Sequence, residues 1–112
     1  MTNDMALEIS CRDAAELAAS GEDVVFLDCR EADEYAVCRI EGALFVPLSE
    51  IADRLEELLP LRDRRIVVYC HHGMRSYRLA VWLRSQGFQQ TQSLAGGIDR
   101  WAVEVDPSIP RY

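Results

Sequence analysis

Residues 66–76, IVVYCHHGMRS, decide the fold of this chain. Residues 66–69 form a short uninterrupted apolar run, which is typical of a strand covered on both faces of a parallel sheet, and we expect it to be the central strand. Cys70 follows directly, a tight loop with Gly73 comes next, and Arg75 and Ser76 open a predicted helix. Because parallel sheets place ligand sites at the carboxyl ends of their strands, this segment predicts a site at Cys70.

The same alternation of apolar runs and helical stretches continues on both sides of this segment. The predicted strands are residues 8–10, 24–27, 43–46, 66–69 and 91–94, and the predicted helices are residues 11–21, 31–37, 49–59, 76–86 and 98–105. Ser10 and Ser49 are the expected N-caps of the first and third helices. The pattern predicts a single α/β domain over residues 1–112, with a mostly parallel central sheet of about five strands and helices on both faces.

Composition narrows the classes of partner. The chain of 112 residues has a net charge of −7, and all 12 basic residues are arginine. An acidic domain is a poor binder of polyanions, so nucleic acid and anionic membranes are not expected partners. No stretch approaches the roughly 20 apolar residues of a membrane span. Residues 1–10 lack the basic and apolar regions of a secretory signal.

The four cysteines, Cys11, Cys29, Cys38 and Cys70, contain no CxxC pair. This spacing argues against a zinc ribbon and against a thioredoxin-type redox pair. The chain is long enough to fold without disulfides, so we expect reduced thiols and a cytoplasmic location.

The segment after Cys70 favours a thiolate. Backbone N–H groups of a loop that curls into a helix N-terminus stabilise an anion, and the helix dipole adds to this effect. The loop has no acidic residue, while Arg75 and the adjacent His71 and His72 offer positive charge. The alternative is that Cys70 is only a small apolar residue that ends a core strand. Adjacent histidines without a suitably spaced third ligand do not predict a metal site.

Five segments in the same order resemble the single-domain rhodaneses. The loop after Cys70 resembles the family's active-site loop, in which a short cradle is followed by Arg-Ser. The other segments are residues 25–30 (VFLDCR), 31–35 (EADEY), 40–43 (IEGA) and 94–98 (LAGGI) with Trp101. One departure is Cys38-Arg39, where the family often has Gly-His.

The resemblance implies a sulfurtransferase that moves a sulfane sulfur from a small anionic donor, such as thiosulfate, to cyanide or a thiol. Cys70 would be the catalytic nucleophile and would carry the sulfur as a persulfide, without a metal or another cofactor. The implied binding loop consists of His71, His72, Gly73, Met74, Arg75 and Ser76. Asp28 and Arg30 resemble the family's structural pair that braces neighbouring loops. One of the two histidines is a candidate for binding the anionic donor.

Three alternatives remain at this point. The chain could relay sulfur to a protein acceptor, or it could be a non-catalytic interaction module. It could also resemble a small phosphatase or arsenate reductase. The Cys-x5-Arg pattern of those enzymes has five residues between cysteine and arginine, whereas four residues separate Cys70 from Arg75 here. The donor, the acceptor, the pathway, the oligomeric state and any part played by Cys29 or Cys38 are left open.

Overall fold

A five-stranded sheet with parallel strand pairs organises the computed structural model, which describes residues 5–112. The strands are β1 (Glu8–Ile9), β2 (Val24–Asp28), β3 (Leu44–Phe45), β4 (Arg65–Tyr69) and β5 (Thr91–Leu94), in the spatial order β1-β5-β4-β2-β3. The predicted α/β class is confirmed, and β4 is central as expected. Residues 1–4, part of the segment used for the secretory-signal prediction, lie outside the described residues.

The helices lie on both faces of this sheet. They are α1 (Cys11–Ala19), α2 (Ala32–Val37), α3 (Leu55–Leu58), α4 (Met74–Ser85) and α5 (Gly97–Glu104), and a 3-10 turn at Leu59–Leu61 follows α3. Alternate residues of β4 serve the two faces. Ile66 and Val68 pack in the core beneath α3 and α4, while Val67 and Tyr69 pack in the core beneath α1 and α5. No helix within residues 5–112 is long and apolar enough to cross a bilayer.

The register of β2 and β4 brings two cysteines to one edge of the sheet. Asp28 lies opposite Tyr69 at the end of the ladder, and the next amide, Cys29 N–H, donates to the Tyr69 carbonyl at 3.1 Å. Cys29 and Cys70 therefore leave the sheet side by side at its carboxyl edge. This edge is where a parallel sheet is expected to hold its site.

The predicted N-caps have different outcomes. Ser10 caps α1 as predicted, since its hydroxyl accepts the Asp13 N–H at 3.1 Å. Ser49 does not cap a helix, because its hydroxyl donates to Glu31 at 2.7 Å and residues 49–54 form turns. The helix predicted over residues 49–59 is thus reduced to α3 and the start of the 3-10 turn, where Leu59 is 46% exposed.

Helix α4 begins at Met74, two residues before the predicted start. Gly73 is its N-terminal flanking residue and adopts a left-handed conformation with φ of 100°, and its carbonyl accepts the Tyr77 N–H at 3.0 Å. Glycine takes this conformation without steric cost, so the helix can start directly after the turn. Met74, Arg75 and Ser76 therefore belong to the first turn of α4 and not to a loop.

Candidate active site

The sulfur of Cys70 is surrounded by hydrogen-bond donors. Its side chain lies at the end of β4 and is only 1% exposed. The Gly73 N–H donates to Sγ at 3.1 Å and the Ser76 N–H donates at 3.4 Å. The Ser76 hydroxyl oxygen is also 3.4 Å from Sγ. These donors lie at the N-terminus of α4, so they and the helix dipole stabilise negative charge on the sulfur.

The N-terminus of α5 fixes the shape of the turn after Cys70. Ile98 N–H donates to the Cys70 carbonyl at 2.9 Å, and Asp99 N–H donates to the His71 carbonyl at 3.1 Å. At Gly97, which has φ of 63°, a Cβ atom would lie 2.5 Å from the Cys70 carbonyl oxygen and 2.4 Å from that of His71. Because both carbonyls face α5, the chain that follows can direct the N–H groups of Gly73 and Ser76 toward the sulfur.

A cavity of about 320 Å³ leads to the sulfur, and it is lined by Cys70, His71, His72, Met74 and Arg75. Met74 lies at its rim with 72% of its surface exposed. Gly73 contributes its amide to the sulfur, and Ser76 lies fully buried beneath it. The structure thus places the predicted loop residues around one atom.

Arg75, the expected source of positive charge in the loop, is paired with a carboxylate. It donates two hydrogen bonds, at 2.7 and 2.9 Å, to the carboxylate of Glu34 on α2. The hydrogen bonds from Arg75 lower the pKa of Glu34 to about 2. Glu34 lies within the acidic segment 31–35, and the sequence alone predicts no role for it.

Tyr112 joins the same cluster from the C-terminal tail. Its hydroxyl donates to Oε2 of Glu34 at 2.9 Å and accepts from Nη1 of Arg30 at 3.0 Å. Its ring stacks on His71 with centroids 3.8 Å apart and an interplanar angle of 7°. Burial raises the pKa of Tyr112 to about 12. The sequence analysis predicts no role for Tyr112, so its contact with the site is seen only in the structure.

Asp28 and Arg30 form a fully buried ion pair beside the site. Arg30 donates to the two Asp28 carboxylate oxygens at 3.0 and 2.6 Å, and to the Cys38 carbonyl at 2.6 Å. It also contacts Tyr112, so it links the end of β2 with the end of α2 and the tail. Neither Asp28 nor Arg30 lines the cavity at Cys70. The bracing role that the resemblance implies for this pair stays a prediction.

The rings of His71 and His72 lie against each other. Their centroids are 3.9 Å apart at an angle of 36°, which leaves His71 between His72 and Tyr112. His72 is exposed, and its Nδ1 lies 4.0 Å from an Asp99 carboxylate oxygen. Within residues 5–112 no group of three or more histidine, cysteine, aspartate or glutamate side chains is arranged to hold a metal ion.

The other three cysteines are buried and free, and none of them lines this cavity. The Cys29 thiol donates to the Tyr69 carbonyl at 3.4 Å, and burial together with the neighbouring Cys70 raises its pKa. Cys38 ends α2 beneath Arg30. Burial raises the pKa of Cys11 to about 11. The environment of Cys70 differs from these because two amides are directed at its sulfur.

Comparison with known proteins agrees with this geometry. A family model described as a rhodanese-like domain matches residues 10–104. A sulfurtransferase from Allochromatium vinosum is 37% identical over 105 residues, covering 94% of this chain and 96% of its own. The adenylyltransferase and sulfurtransferase MOCS3-2 of Zea mays is 33% identical and matches 93% of this chain. This chain spans only 23% of that maize protein.

The solved structures include a similar small protein. The human single-domain sulfurtransferase TSTD1 superposes with a TM-score of 0.79 at 26% sequence identity. The match covers 89% of this chain and 98% of the human one. The arrangement of sheet and helices is therefore shared over nearly the whole of both chains.

Proposed function

Because the chain belongs to the rhodanese-like domain family, we propose that it is a sulfur-transferring enzyme that carries a sulfane sulfur on Cys70. The observation that carries the proposal is the pair of amides, Gly73 N–H and Ser76 N–H, at 3.1 and 3.4 Å from the Cys70 sulfur. Hydrogen bonds to a charged acceptor are about twice as strong as neutral ones, so this environment favours a reactive thiolate.

The first step loads the sulfur. The Cys70 thiolate attacks the outer sulfur of thiosulfate, and a new S–S bond forms to Cys70. The bond from that outer sulfur to the sulfonate group breaks, and sulfite leaves with the electron pair. Cys70 then holds a persulfide anion, and the total charge is unchanged. We expect the Gly73 and Ser76 N–H groups at the start of α4 to stabilise the negative charge of this persulfide.

The second step delivers the sulfur. An acceptor nucleophile, such as cyanide or a thiolate, attacks the outer persulfide sulfur. The S–S bond to Cys70 breaks, and the Cys70 thiolate leaves with the electron pair. Two separate displacements on one covalent intermediate predict ping-pong kinetics. A reducing cytoplasmic setting is part of this proposal, since Cys70 must remain a free thiol between cycles.

Intact-protein mass spectrometry tests the loading step directly. After incubation with thiosulfate, the wild-type protein should gain the mass of one sulfur atom, and cyanide should then remove it. The Cys70→Ser variant should gain nothing, whereas Cys38→Ser, which changes another buried thiol, should load as the wild type does. Loading of Cys70→Ser, or failure of the wild type to load, would contradict the proposal.

A protein acceptor is a second candidate, favoured by the surface beside the cavity. Met74 is 72% exposed and Tyr77 is 40% exposed, and both lie on α4 along a shallow hollow next to the cavity mouth. Exposed apolar side chains at the entrance suit contact with another macromolecule. Turnover measured with cyanide, with glutathione and with a reduced protein dithiol would separate a small acceptor from a protein acceptor.

A further inference from the structure

Ser93, on β5, contacts the hydroxyl group that lies against the Cys70 sulfur. The two oxygens, Oγ of Ser93 and Oγ of Ser76, are 2.7 Å apart, and both side chains are fully buried. The Ser76 oxygen is in turn 3.4 Å from Sγ of Cys70. A chain of three polar atoms therefore runs from the central sheet to the sulfur, with no access to water at its inner end.

The direction of the hydrogen bonds in this chain depends on the charge of the sulfur. A hydroxyl group has one proton to donate. When Cys70 is a thiol, its S–H donates to Ser76, whose own proton is directed to Ser93 or to the Gly73 carbonyl, 3.2 Å away. A thiolate only accepts, so the Ser76 hydroxyl stabilises it only by turning its proton toward the sulfur. The thiol proton leaves to water through the cavity.

Ser93 favours the arrangement in which the Ser76 proton points to the sulfur. Once the Ser76 proton points to the sulfur, the Ser76 oxygen needs a donor, and the Ser93 hydroxyl at 2.7 Å supplies one. The Gly73 carbonyl, 3.2 Å from the Ser76 oxygen and 3.4 Å from the Ser93 oxygen, competes for the protons of both hydroxyl groups. Without Ser93, and with Cys70 ionised, no other donor to the Ser76 oxygen is found within residues 5–112. Chains of hydrogen bonds strengthen one another in a buried setting, so the loss extends to the sulfur.

We propose that Ser93 is a positioning residue, which directs the Ser76 hydroxyl proton onto the Cys70 thiolate. Its relevance to turnover rests on the proposed function, because the thiolate is the attacking group in loading and the leaving group in delivery. The positioning role itself requires only that Cys70 can ionise, whatever reaction the thiolate then performs.

The rate of alkylation of Cys70 by iodoacetamide, measured against pH and assigned by peptide mapping, tests this role, since the thiolate is the reacting form. In Ser93→Ala the midpoint of the profile should move to higher pH, and the rate at neutral pH should fall about three- to tenfold, as expected for one lost hydrogen bond. Ser93→Thr, which keeps a hydroxyl, should restore most of the rate.

Thr91 provides a matched control on the same strand. It lies two positions before Ser93, so it faces the same side of β5, and it is also fully buried. Its hydroxyl has no hydrogen-bond partner within residues 5–112. Thr91→Val should therefore leave the alkylation profile unchanged.

Two results would overturn the role of Ser93. One is an unshifted alkylation profile in Ser93→Ala. The other is an equal shift in Thr91→Val, because it would show that altered packing along β5 accounts for the shift. If Ser93→Ala does not fold, Ser93→Cys, with a weaker donor of similar shape, is judged by the same outcomes. Alkylation needs no sulfur donor, so the two proposals fail separately. A protein that shows the shift but takes no sulfur from thiosulfate contradicts the proposed function alone.

Discussion

Glu34 and Arg75 lie 41 residues apart in the chain and are joined by two hydrogen bonds. The pair ties α2 to the first turn of α4, directly beside the Cys70 cavity. The Glu34 side chain is 17% exposed and that of Arg75 is 36% exposed, so the pair is partly shielded from water. A carboxylate with two donated hydrogen bonds and a third from Tyr112 holds the guanidinium in one orientation.

We expect Glu34→Gln to lower the free energy of unfolding by about 1–2 kcal/mol, because Arg75 loses its counter-charge in a partly buried position. Urea denaturation measures the change. Glu57→Gln is the matched control, since Glu57 also pairs with an arginine, Arg54, but its side chain is 60% exposed. That control should lose no more than about 0.5 kcal/mol. Equal losses in the two variants would contradict a special role for the Glu34 pair.

The difference in stability between wild type and Glu34→Gln should depend on pH. The pKa of Glu34 is about 2 in the folded protein, against 4.5 for an unperturbed glutamate. A depressed pKa means that the ionised group stabilises the fold above pH 4.5, and that this contribution is lost as the pH falls toward about 2. The two stability curves should therefore converge in this interval. A difference that stays constant down to pH 2 would show that ionisation of Glu34 does not stabilise the fold.

Tyr112→Phe should cost about 1 kcal/mol, because the hydroxyl connects Glu34 and Arg30 and its loss leaves both with an empty position. Tyr77→Phe is the control, since Tyr77 is 40% exposed and Tyr112 is 41% exposed. The control change should stay within about 0.5 kcal/mol. Thermal or urea unfolding of both variants decides the matter, and a neutral Tyr112→Phe would mean that the hydroxyl contacts do not stabilise the fold.

Gly97→Ala should be markedly more harmful than Gly21→Ala. Both glycines have positive φ, 63° and 83°, so an alanine is strained at either position. Of these two positions, only Gly97 would bring the new Cβ against backbone, the carbonyl oxygens of Cys70 and His71, whereas no atom within residues 5–112 lies within 4 Å at Gly21. We expect about 1 kcal/mol for Gly21→Ala and at least about 2 kcal/mol more for Gly97→Ala. Similar losses in urea denaturation would mean that the turn after Cys70 tolerates displacement.

The parts of the fold that the sequence predicted depend on local signals. The apolar run 66–69 and the glycine after Cys70 were enough to predict the central strand, the turn and the place of Cys70 at the edge of the sheet. The start of α4 was misplaced by two residues because Gly73 was interpreted only as a loop residue, although a left-handed glycine can directly precede a helix.

The parts that were missed depend on contacts between distant segments. The Ser49 hydroxyl donates to the carboxylate of Glu31, 18 residues away in the chain, and this hydrogen bond replaces the predicted helix cap. Tyr112 reaches Glu34 across 78 residues. Ser76 and Ser93 come from a helix and a strand that had each been predicted, but their contact depends on how the two pack. No periodicity or spacing in a single sequence contains this information.

The two amides at the start of α5 are occupied by the carbonyls of Cys70 and His71. Any fluctuation that moves this turn outward must break the hydrogen bonds that the Ile98 and Asp99 N–H groups donate to it, so we expect opening of the turn to expose these two amides together. Hydrogen exchange at Ile98 and Asp99 would then report how often the surroundings of Cys70 rearrange. A turn held by these hydrogen bonds keeps the surroundings of the sulfur organised before any reactant arrives.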